Sequence, residues 1–100
     1  MKNFINIADI EKKGKYFDQC LKKIKDKYPK IIGEIRGVGL IKGLKMLVDN
    51  TEFIKKLMNQ KMVTVKAEEN VIRLFPPLTV NDKELDEAIN KIEKVCEEMS

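Results

Sequence analysis

The sequence contains no histidine and no tryptophan, and only two of its 100 residues are cysteine. Without histidine the chain lacks the side chain that most often serves as a general base near neutral pH. A zinc site would have to combine carboxylates with two thiols that are distant in sequence, so we expect no metal site. The two cysteines, Cys20 and Cys96, fall on apolar stripes of predicted helices, and we expect both to pack as small hydrophobic residues.

Long apolar runs and nucleophile motifs are also missing. Apolar residues make up 43% of the chain, which is ordinary for a globular protein, and no run is long enough to cross a bilayer or to act as a secretory signal. There is no phosphate-binding glycine loop and no GxSxG motif. We therefore expect one cytoplasmic domain of 100 residues, with no membrane partner and no catalytic residues of its own.

Positive charge is carried almost entirely by lysine. Of the twenty basic residues, which outnumber sixteen acids, only Arg36 and Arg73 are arginine. A guanidinium group binds a carboxylate through two parallel hydrogen bonds, which an ammonium group cannot do, so these two positions are candidates for carboxylate binding. The lysine-rich stretch from Glu11 to Lys30 is interpreted as a solvated helix face and not as a nucleic-acid site, because neither aromatic nor arginine residues accompany the lysines.

The predicted elements follow the order helix, two strands, helix, two strands, helix. Apolar spacings of three and four residues predict a first helix from about Asp9 to Tyr28, and a capping box at Asn81 and Glu84 begins the last one. The remaining predicted elements are strands at Ile31–Ile35, Leu40–Val48, Met62–Val65 and Val71–Phe75, and a short helix to about Gln60 capped by Asn50 or Thr51. This order predicts an α+β fold with a small, mainly antiparallel sheet of three to four strands and helices on one face. The second strand is apolar on both sides, which predicts a central strand covered on each face.

The two arginines stand in different local contexts. Arg36 belongs to the stretch GEIRGVGLIKG, in which Gly37 and Gly39 allow unusual backbone dihedrals. This context favours a structural role for Arg36, binding neighbouring carbonyls or an acid, over direct contact with a substrate. Arg73 precedes LFPPL, where prolines end a strand, so its side chain should lie at a sheet end and face whatever packs beyond. The residues alone leave a structural ion pair and a ligand contact equally open for Arg73.

Two long stretches of the chain carry a family resemblance, GEIRGVGLIKGLKM and VTVKAEENVIRLFPPLTVNDKELDEAINKIEK. They resemble the C-terminal small domain of class III pyridoxal-phosphate aminotransferases, and the similarity runs from roughly Gly14 to Met99 with the motifs in the family's order. The resemblance implies that Arg73 binds the α-carboxylate of glutamate or 2-oxoglutarate. It also implies that Arg73 can pair with a glutamate of the large domain when another substrate is bound. The chain departs from the family at Lys66 and Glu68, where relatives often have a smaller, glycine-containing stretch.

The same resemblance implies that the catalytic centre lies outside this chain. In the family the large domain supplies the Schiff-base lysine, the aspartate under the pyridine nitrogen and the phosphate-binding loop. We therefore expect pyridoxal phosphate in the full-length enzyme and none in this chain alone. The implied partners are the large domain, the second subunit of a homodimer, and amino acid and 2-oxo acid substrates, but no nucleic acid.

The implied reaction is amino transfer between N-acetylornithine and 2-oxoglutarate in arginine biosynthesis. Transaminases of ornithine, 4-aminobutyrate or acetyl-lysine are alternatives within the family, because the acceptor half of the reaction uses the same arginine. A rival from another class is a stand-alone α+β interaction module whose basic first helix binds an anionic partner.

Overall fold

The computed structural model describes residues 7–57, 63–76 and 79–100. These residues form three helices and four strands, in the predicted order, with a short 3-10 turn between the last two strands. The bounds are α1 Ile7–Lys27, β1 Ile32–Val38, β2 Ile41–Met46, α2 Asn50–Lys56, β3 Val63–Ala67, β4 Val71–Phe75 and α3 Asp82–Met99. The predicted start of the third strand at Met62 and the predicted end of the middle helix at Gln60 lie outside the described residues.

The four strands form one sheet in the order β1-β2-β4-β3, and every neighbouring pair is antiparallel. The prediction of an α+β fold with a small antiparallel sheet is therefore confirmed. A two-residue turn joins β1 to β2, because Val38 pairs directly with Ile41. Gly37 and Gly39 have φ angles of 124° and 62°, in the region that favours glycine. A Cβ atom on Gly37 would lie 2.2 Å from the carbonyl oxygen of Ile41, so no other residue fits at this position.

The helices and one face of the sheet enclose the hydrophobic core. All three helices and the strands β1, β2 and β4 contribute side chains to it, and each buried aliphatic or aromatic side chain contributes about 1.5–3 kcal/mol. The largest fully buried side chains are Phe17, Leu21, Ile32, Leu44, Met46, Phe53, Ile72, Leu74, Leu85, Ile92, Val95 and Cys96. The predicted apolar stripes of α1 and α3 are thus confirmed.

Both cysteines pack as expected from their positions on these stripes. Cys96 is fully buried, and burial raises the pKa of its thiol to about 12, which keeps it protonated at neutral pH. Cys20 is half-buried against the core, and neither cysteine forms a disulfide. Among the described residues no helix is long and apolar enough to cross a bilayer.

Two helices begin at side-chain caps. At α3 the predicted capping box is confirmed: Asn81 Oδ1 accepts from the Glu84 backbone N–H at 2.8 Å, and Glu84 Oε1 accepts from the Asn81 N–H at 3.1 Å. At α2 the prediction of Asn50 or Thr51 as the cap is wrong by one residue. Asp49 is the cap, with its carboxylate accepting from the Thr51 N–H at 3.1 Å, while the buried Asn50 side chain donates its amide to the backbone of β4.

The strand β2 is central in the sheet, but only one of its faces is covered. Leu44 and Met46 point into the core, whereas Ile41 is 51% exposed and Leu47, just after the strand, is 57% exposed. The prediction of a strand covered on both faces is therefore wrong for the described part of the chain. The helices pack on the core face of the sheet. The side chains of β2 that point to the other face are not covered by a second layer in the described part of the chain.

Candidate functional site

Both arginines lie on the open face of the sheet, in one row across its strands. Arg36 of β1 pairs with Gly43 of β2, and Gly43 pairs with Arg73 of β4. Val65 of β3 pairs with Arg73 and ends the row. Residues directly opposite one another in neighbouring strands project from the same face. The two arginine side chains therefore leave the sheet on the same side, with their Cα atoms two strand spacings, or roughly 10 Å, apart.

A cleft of about 420 Å³ covers this row, and both arginines line it. Gly43 forms part of its floor, where a Cβ atom would meet the nearest neighbouring side chain, that of Val71, only at 3.6 Å. Because Gly43 has no side chain, the space between the two arginines stays open. Glu68 and Glu69 of the 3-10 turn line the cleft as well, so two guanidinium groups and two carboxylates surround a patch of bare backbone.

Arg73 is exposed and is the middle residue of β4, paired on both sides with residues of neighbouring strands. The prediction that it lies at a sheet end is therefore wrong, because the strand continues for two residues past it before the prolines. In the ranges 7–57, 63–76 and 79–100, Arg73 makes no side-chain hydrogen bond or ion pair. Its guanidinium group is therefore not occupied by any described residue and could bind a carboxylate. Its role as a substrate contact stays a prediction.

Arg36 binds an acid of its own strand. Its Nε and Nη2 atoms lie 2.7 and 2.6 Å from Oε2 of Glu34, and this contact raises the pKa of Arg36. The two residues are two positions apart in β1, so their side chains share one face. The expectation that Arg36 binds an acid is confirmed.

The acidic rim of the cleft rests on a turn with left-handed backbone. Glu69 and Asn70 have backbone φ angles of 60° and 62°, which residues other than glycine rarely adopt. The Asn70 side-chain amide donates to the carbonyl oxygens of Met46 at 2.9 Å and Val48 at 2.6 Å, and Lys45 Nζ donates to the Glu69 carbonyl at 2.5 Å. These bonds fix the turn against β2.

Glu69 is not recognisable from the sequence as a cleft residue. It lies between two predicted strands, and a propensity argument does not show which residues there adopt positive φ. The one signal present was the departure from the glycine-containing stretch that the family resemblance leads one to expect at this place.

The lysines of β2 near the cleft are both engaged elsewhere. The Lys42 side chain is 5% exposed, lies on the core face and pairs with Asp18 of α1 at 3.6 Å. Lys45 is bound to the turn at Glu69. Across the part of the chain that the structure describes, no group of three or more acids or cysteines is placed to hold a metal ion. The side-chain amines of Lys42 and Lys45 are therefore both held by other groups of the chain.

Comparison with known proteins places the chain in a family. Residues 3–96 match the family model described as aminotransferase class III. The chain is 43% identical over 86 residues to the acetylornithine aminotransferase of Mesorhizobium japonicum. This similarity covers 86% of the chain but only 22% of that relative.

Solved structures of larger enzymes contain the same arrangement of helices and strands. The ornithine aminotransferase of Plasmodium yoelii superposes on 91% of the chain with a TM-score of 0.81 and 30% identity, and the match covers 25% of that protein. The lysine aminotransferase of M. tuberculosis superposes on 91% of the chain with a TM-score of 0.81 and 26% identity, and the match covers 21% of it. The chain thus spans about a fifth to a quarter of the length of the proteins that it matches. By its sequence over almost its whole length and by its fold, this chain belongs to the class III aminotransferases.

Proposed function

We propose that residues 1–100 are one domain, the C-terminal small domain of a class III transaminase, and that a large domain outside this chain completes the enzyme. The extent of the similarity supports this proposal, because it covers 86% of the chain and 22% of the Mesorhizobium relative. The single hydrophobic core also supports it, since α1, α2, α3 and the sheet all contribute side chains to one cluster.

The observation that carries the proposal is the exposed Arg73 in the open cleft. An arginine with no partner in the described ranges presents the geometry that a carboxylate requires. In the complete enzyme Arg73 would hold the α-carboxylate of glutamate or 2-oxoglutarate, and so fix the position of the amino or keto group to be converted. This role uses only binding and orientation, which fits a chain without histidine.

The reaction that we propose is amino transfer between N-acetylornithine and 2-oxoglutarate, in a cytoplasmic enzyme of arginine biosynthesis. The acetylornithine aminotransferases among the relatives support this choice. The similarity to ornithine and lysine aminotransferases keeps ornithine and other ω-amino acids as alternative donors. An assay of the natural full-length protein with each donor would identify the substrate.

Pyridoxal phosphate is the proposed cofactor of the complete enzyme, bound by the large domain of a homodimer. When bound, it supplies the electron sink for moving an amino group. We propose that the isolated chain is inactive, because the family resemblance assigns the Schiff-base lysine to the large domain. Stoichiometric labelling of one lysine by pyridoxal phosphate and borohydride would contradict this part of the proposal.

The open face of the sheet is the proposed contact surface for the large domain. Apolar side chains remain exposed on it, with Ile41 at 51% and Val65 at 43%. An apolar sheet face next to a charged cleft is expected where a second layer packs and closes a binding site.

A chimera tests the proposal directly. The large domain of the Mesorhizobium acetylornithine aminotransferase, joined to this chain in place of its own C-terminal segment, should regain transaminase activity. The truncated relative without any C-terminal segment is the matched control and should be inactive. A soluble chimera that binds cofactor but transfers no amino group would contradict the assignment.

No observation favours the rival function of a basic interaction helix. Several lysines of α1 are neutralised by acids: Lys22 pairs with Asp18 at 2.9 Å, and Lys27 pairs with Glu93 at 3.0 Å. A steep salt dependence of RNA or DNA binding would be needed to revive it.

A further inference from the structure

Two acids of the 3-10 turn share the cleft with Arg73. Glu68 and Glu69 line the same cleft, and the turn leads directly into β4. Val71, the first residue of β4, shares the face of Arg73, and their Cα atoms are roughly 7 Å apart along the strand. Opposite charges in one open cleft attract each other. In the part of the chain that the structure describes, however, neither acid forms an ion pair with Arg73.

The Asn70 side chain holds this turn at the far end of β2. Its amide donates to the carbonyl oxygens of Met46 at 2.9 Å and Val48 at 2.6 Å, and its Oδ1 atom accepts from the Asn50 N–H at 2.9 Å. All three partners lie at or after the end of β2, whereas Arg73 pairs with the middle of that strand. The three bonds therefore keep the turn away from the row that contains the arginines.

Lys45 holds the same turn from the open face of the sheet. Its Nζ atom donates to the carbonyl oxygen of Glu69 at 2.5 Å, and its backbone pairs with that of Val71. Because Glu69 and Asn70 have φ angles of 60° and 62°, the turn would relax to other backbone angles if these bonds were lost. A relaxed turn would bring its acids within reach of the next side chain on this face of β4, which is that of Arg73.

In the held position, the acids of the cleft act on the other arginine. Glu34 raises the pKa of Arg36 through its hydrogen bond and its charge, and the charge of Glu69 raises it further. The Arg36 guanidinium is therefore neutralised, whereas that of Arg73 stays unoccupied among the described residues. The position of the turn decides which arginine the acids neutralise.

We propose that Asn70 and Lys45 are positioning residues, which keep the acids of the turn from pairing with Arg73. Without them the acids would bind the Arg73 guanidinium and compete with a substrate carboxylate, so the turn would inhibit the site that it borders. The consequence for catalysis rests on the proposed function of Arg73, but the pairing is a property of this chain alone.

The test is the exchange of the Arg73 Nε–H proton with water in ¹⁵N–¹H spectra of the 100-residue chain, with the signal assigned by its loss in Arg73→Gln. In Asn70→Ala we expect this exchange to slow roughly threefold, as an exposed ion pair provides. Adding Glu68→Gln and Glu69→Gln to Asn70→Ala should restore the original rate. Unchanged exchange in Asn70→Ala, or slowing that persists without the acids, would overturn the proposal.

Further variants control for the acids, for charge and for folding. Glu68→Gln with Glu69→Gln in the otherwise unchanged chain should leave the exchange of Arg73 as it is, and faster exchange there would refute the proposal. If Asn70→Ala does not fold, Lys45→Met replaces it, because it removes the bond to the turn and keeps an aliphatic side chain. Lys30→Gln, in an exposed turn outside the cleft, is its control for charge. Equal exchange rates in Lys45→Met and Lys30→Gln would contradict the proposal.

The chimera with the Mesorhizobium large domain separates this inference from the proposed function. There Asn70→Ala should raise KM for glutamate roughly threefold with little change in kcat, because the acids compete only with binding. Replacing both acids by glutamine should restore KM. A fall in kcat that the glutamines do not rescue would show a purely structural role and sink the inference. An inactive unchanged chimera would count against the proposed function alone, since the exchange measurement decides the pairing.

Discussion

Two neighbouring residues adopt the same left-handed backbone for different reasons. Asn70 uses its side chain to bind two backbone carbonyls of the β2–α2 connection and the first N–H of α2, so its conformation is compensated by hydrogen bonds. Within the described ranges the side chain of Glu69 makes no such bonds, and it lines the cleft. The strain at Glu69 is therefore a local cost, which its backbone contact with Lys45 offsets in part.

Replacing these two residues by glycine should have opposite effects on stability. Glu69→Gly relieves the positive φ and should raise the free energy of unfolding by up to about 1 kcal/mol. Asn70→Gly relieves the same strain but removes three side-chain hydrogen bonds, and should lower it by roughly 2 kcal/mol. Urea unfolding monitored by circular dichroism measures both. Glu69→Ala is the control and should change little, since alanine is strained at this φ as glutamate is; stabilisation by alanine would refute the strain argument.

The sequence was informative about residue types but not about this turn. The scarcity of arginine identified Arg36 and Arg73, and the capping pattern at Asn81 and Glu84 identified the start of α3, because both signals depend on local chemistry. The meeting of Arg36 and Arg73 in one cleft depends on strand order and register, which place β4 beside β2. Local sequence patterns do not determine that pairing.

At the scale of elements, one buried ion pair joins α1 to the sheet. Lys42 lies on the core face of β2 with a side chain 5% exposed, and Asp18 of α1 is its partner at 3.6 Å. Asp18 also binds Lys22 at 2.9 Å, and that hydrogen bond is the largest cause of the lowered pKa of Asp18, with Lys42 adding to it. The pair therefore fixes how α1 lies across the sheet.

Replacing Asp18 should lower the stability of the fold more than replacing Lys42. Asp18→Asn leaves a positive charge buried without a counter-charge and should cost about 2 kcal/mol, less than for a fully buried pair because Asp18 is 30% exposed. Lys42→Met removes the buried charge and should be neutral or slightly stabilising. The double variant should recover most of the loss. A loss in Lys42→Met as large as that in Asp18→Asn would contradict this account.

The same pair predicts a dependence of stability on acid. The folded-state pKa of Asp18 lies below its ordinary value of 3.8, so its carboxylate stabilises the fold above that pH and the contribution is lost as pH falls further. The difference in unfolding free energy between the unchanged chain and Asp18→Asn should therefore shrink as the pH is lowered below about 4. A difference that stays constant down to the acid unfolding limit would show that Asp18 contributes no charge interaction.

A glycine contact sets the distance between α1 and the hairpin of β1 and β2. A Cβ atom on Gly14 would lie 2.6 Å from the carbonyl carbon of Gly39, so the helix and the turn touch through their backbones. The sequence alone does not indicate this contact, since packing partners are not visible in a helix propensity.

Gly14→Ala should destabilise the fold although alanine favours helices. The clash costs about 1–3 kcal/mol and exceeds the gain in helix propensity of about 1 kcal/mol. We expect a net loss of unfolding free energy of up to about 2 kcal/mol. Thermal unfolding compares this variant with Gln19→Ala, an exposed change in the same helix that should be neutral. A more stable Gly14→Ala would mean that α1 can move away from the turn at little cost.

At the scale of the whole molecule, the sheet has one face that the helices cover and one face that is exposed among the described residues. The helices cover the core side of the sheet, while the opposite side carries exposed Ile41 and Val65 beside the cleft with its two arginines. A stand-alone domain gains nothing from this arrangement, but a domain that closes a binding site against a second layer does. The exposed side chain of Arg73 and the open face both support the proposal that a large domain packs on this side of the sheet.

The central claim is that Arg73 binds the substrate carboxylate, and its most direct test is Arg73→Lys in the chimera with the Mesorhizobium large domain. This change keeps the charge but loses the bidentate geometry, so kcat/KM for glutamate should fall roughly 100-fold or more, while the isolated chain stays folded. Lys30→Arg, an exchange of basic residues outside the cleft, should leave the kinetics unchanged. Glutamate kinetics of Arg73→Lys equal to those of the unchanged chimera would contradict the assignment of Arg73.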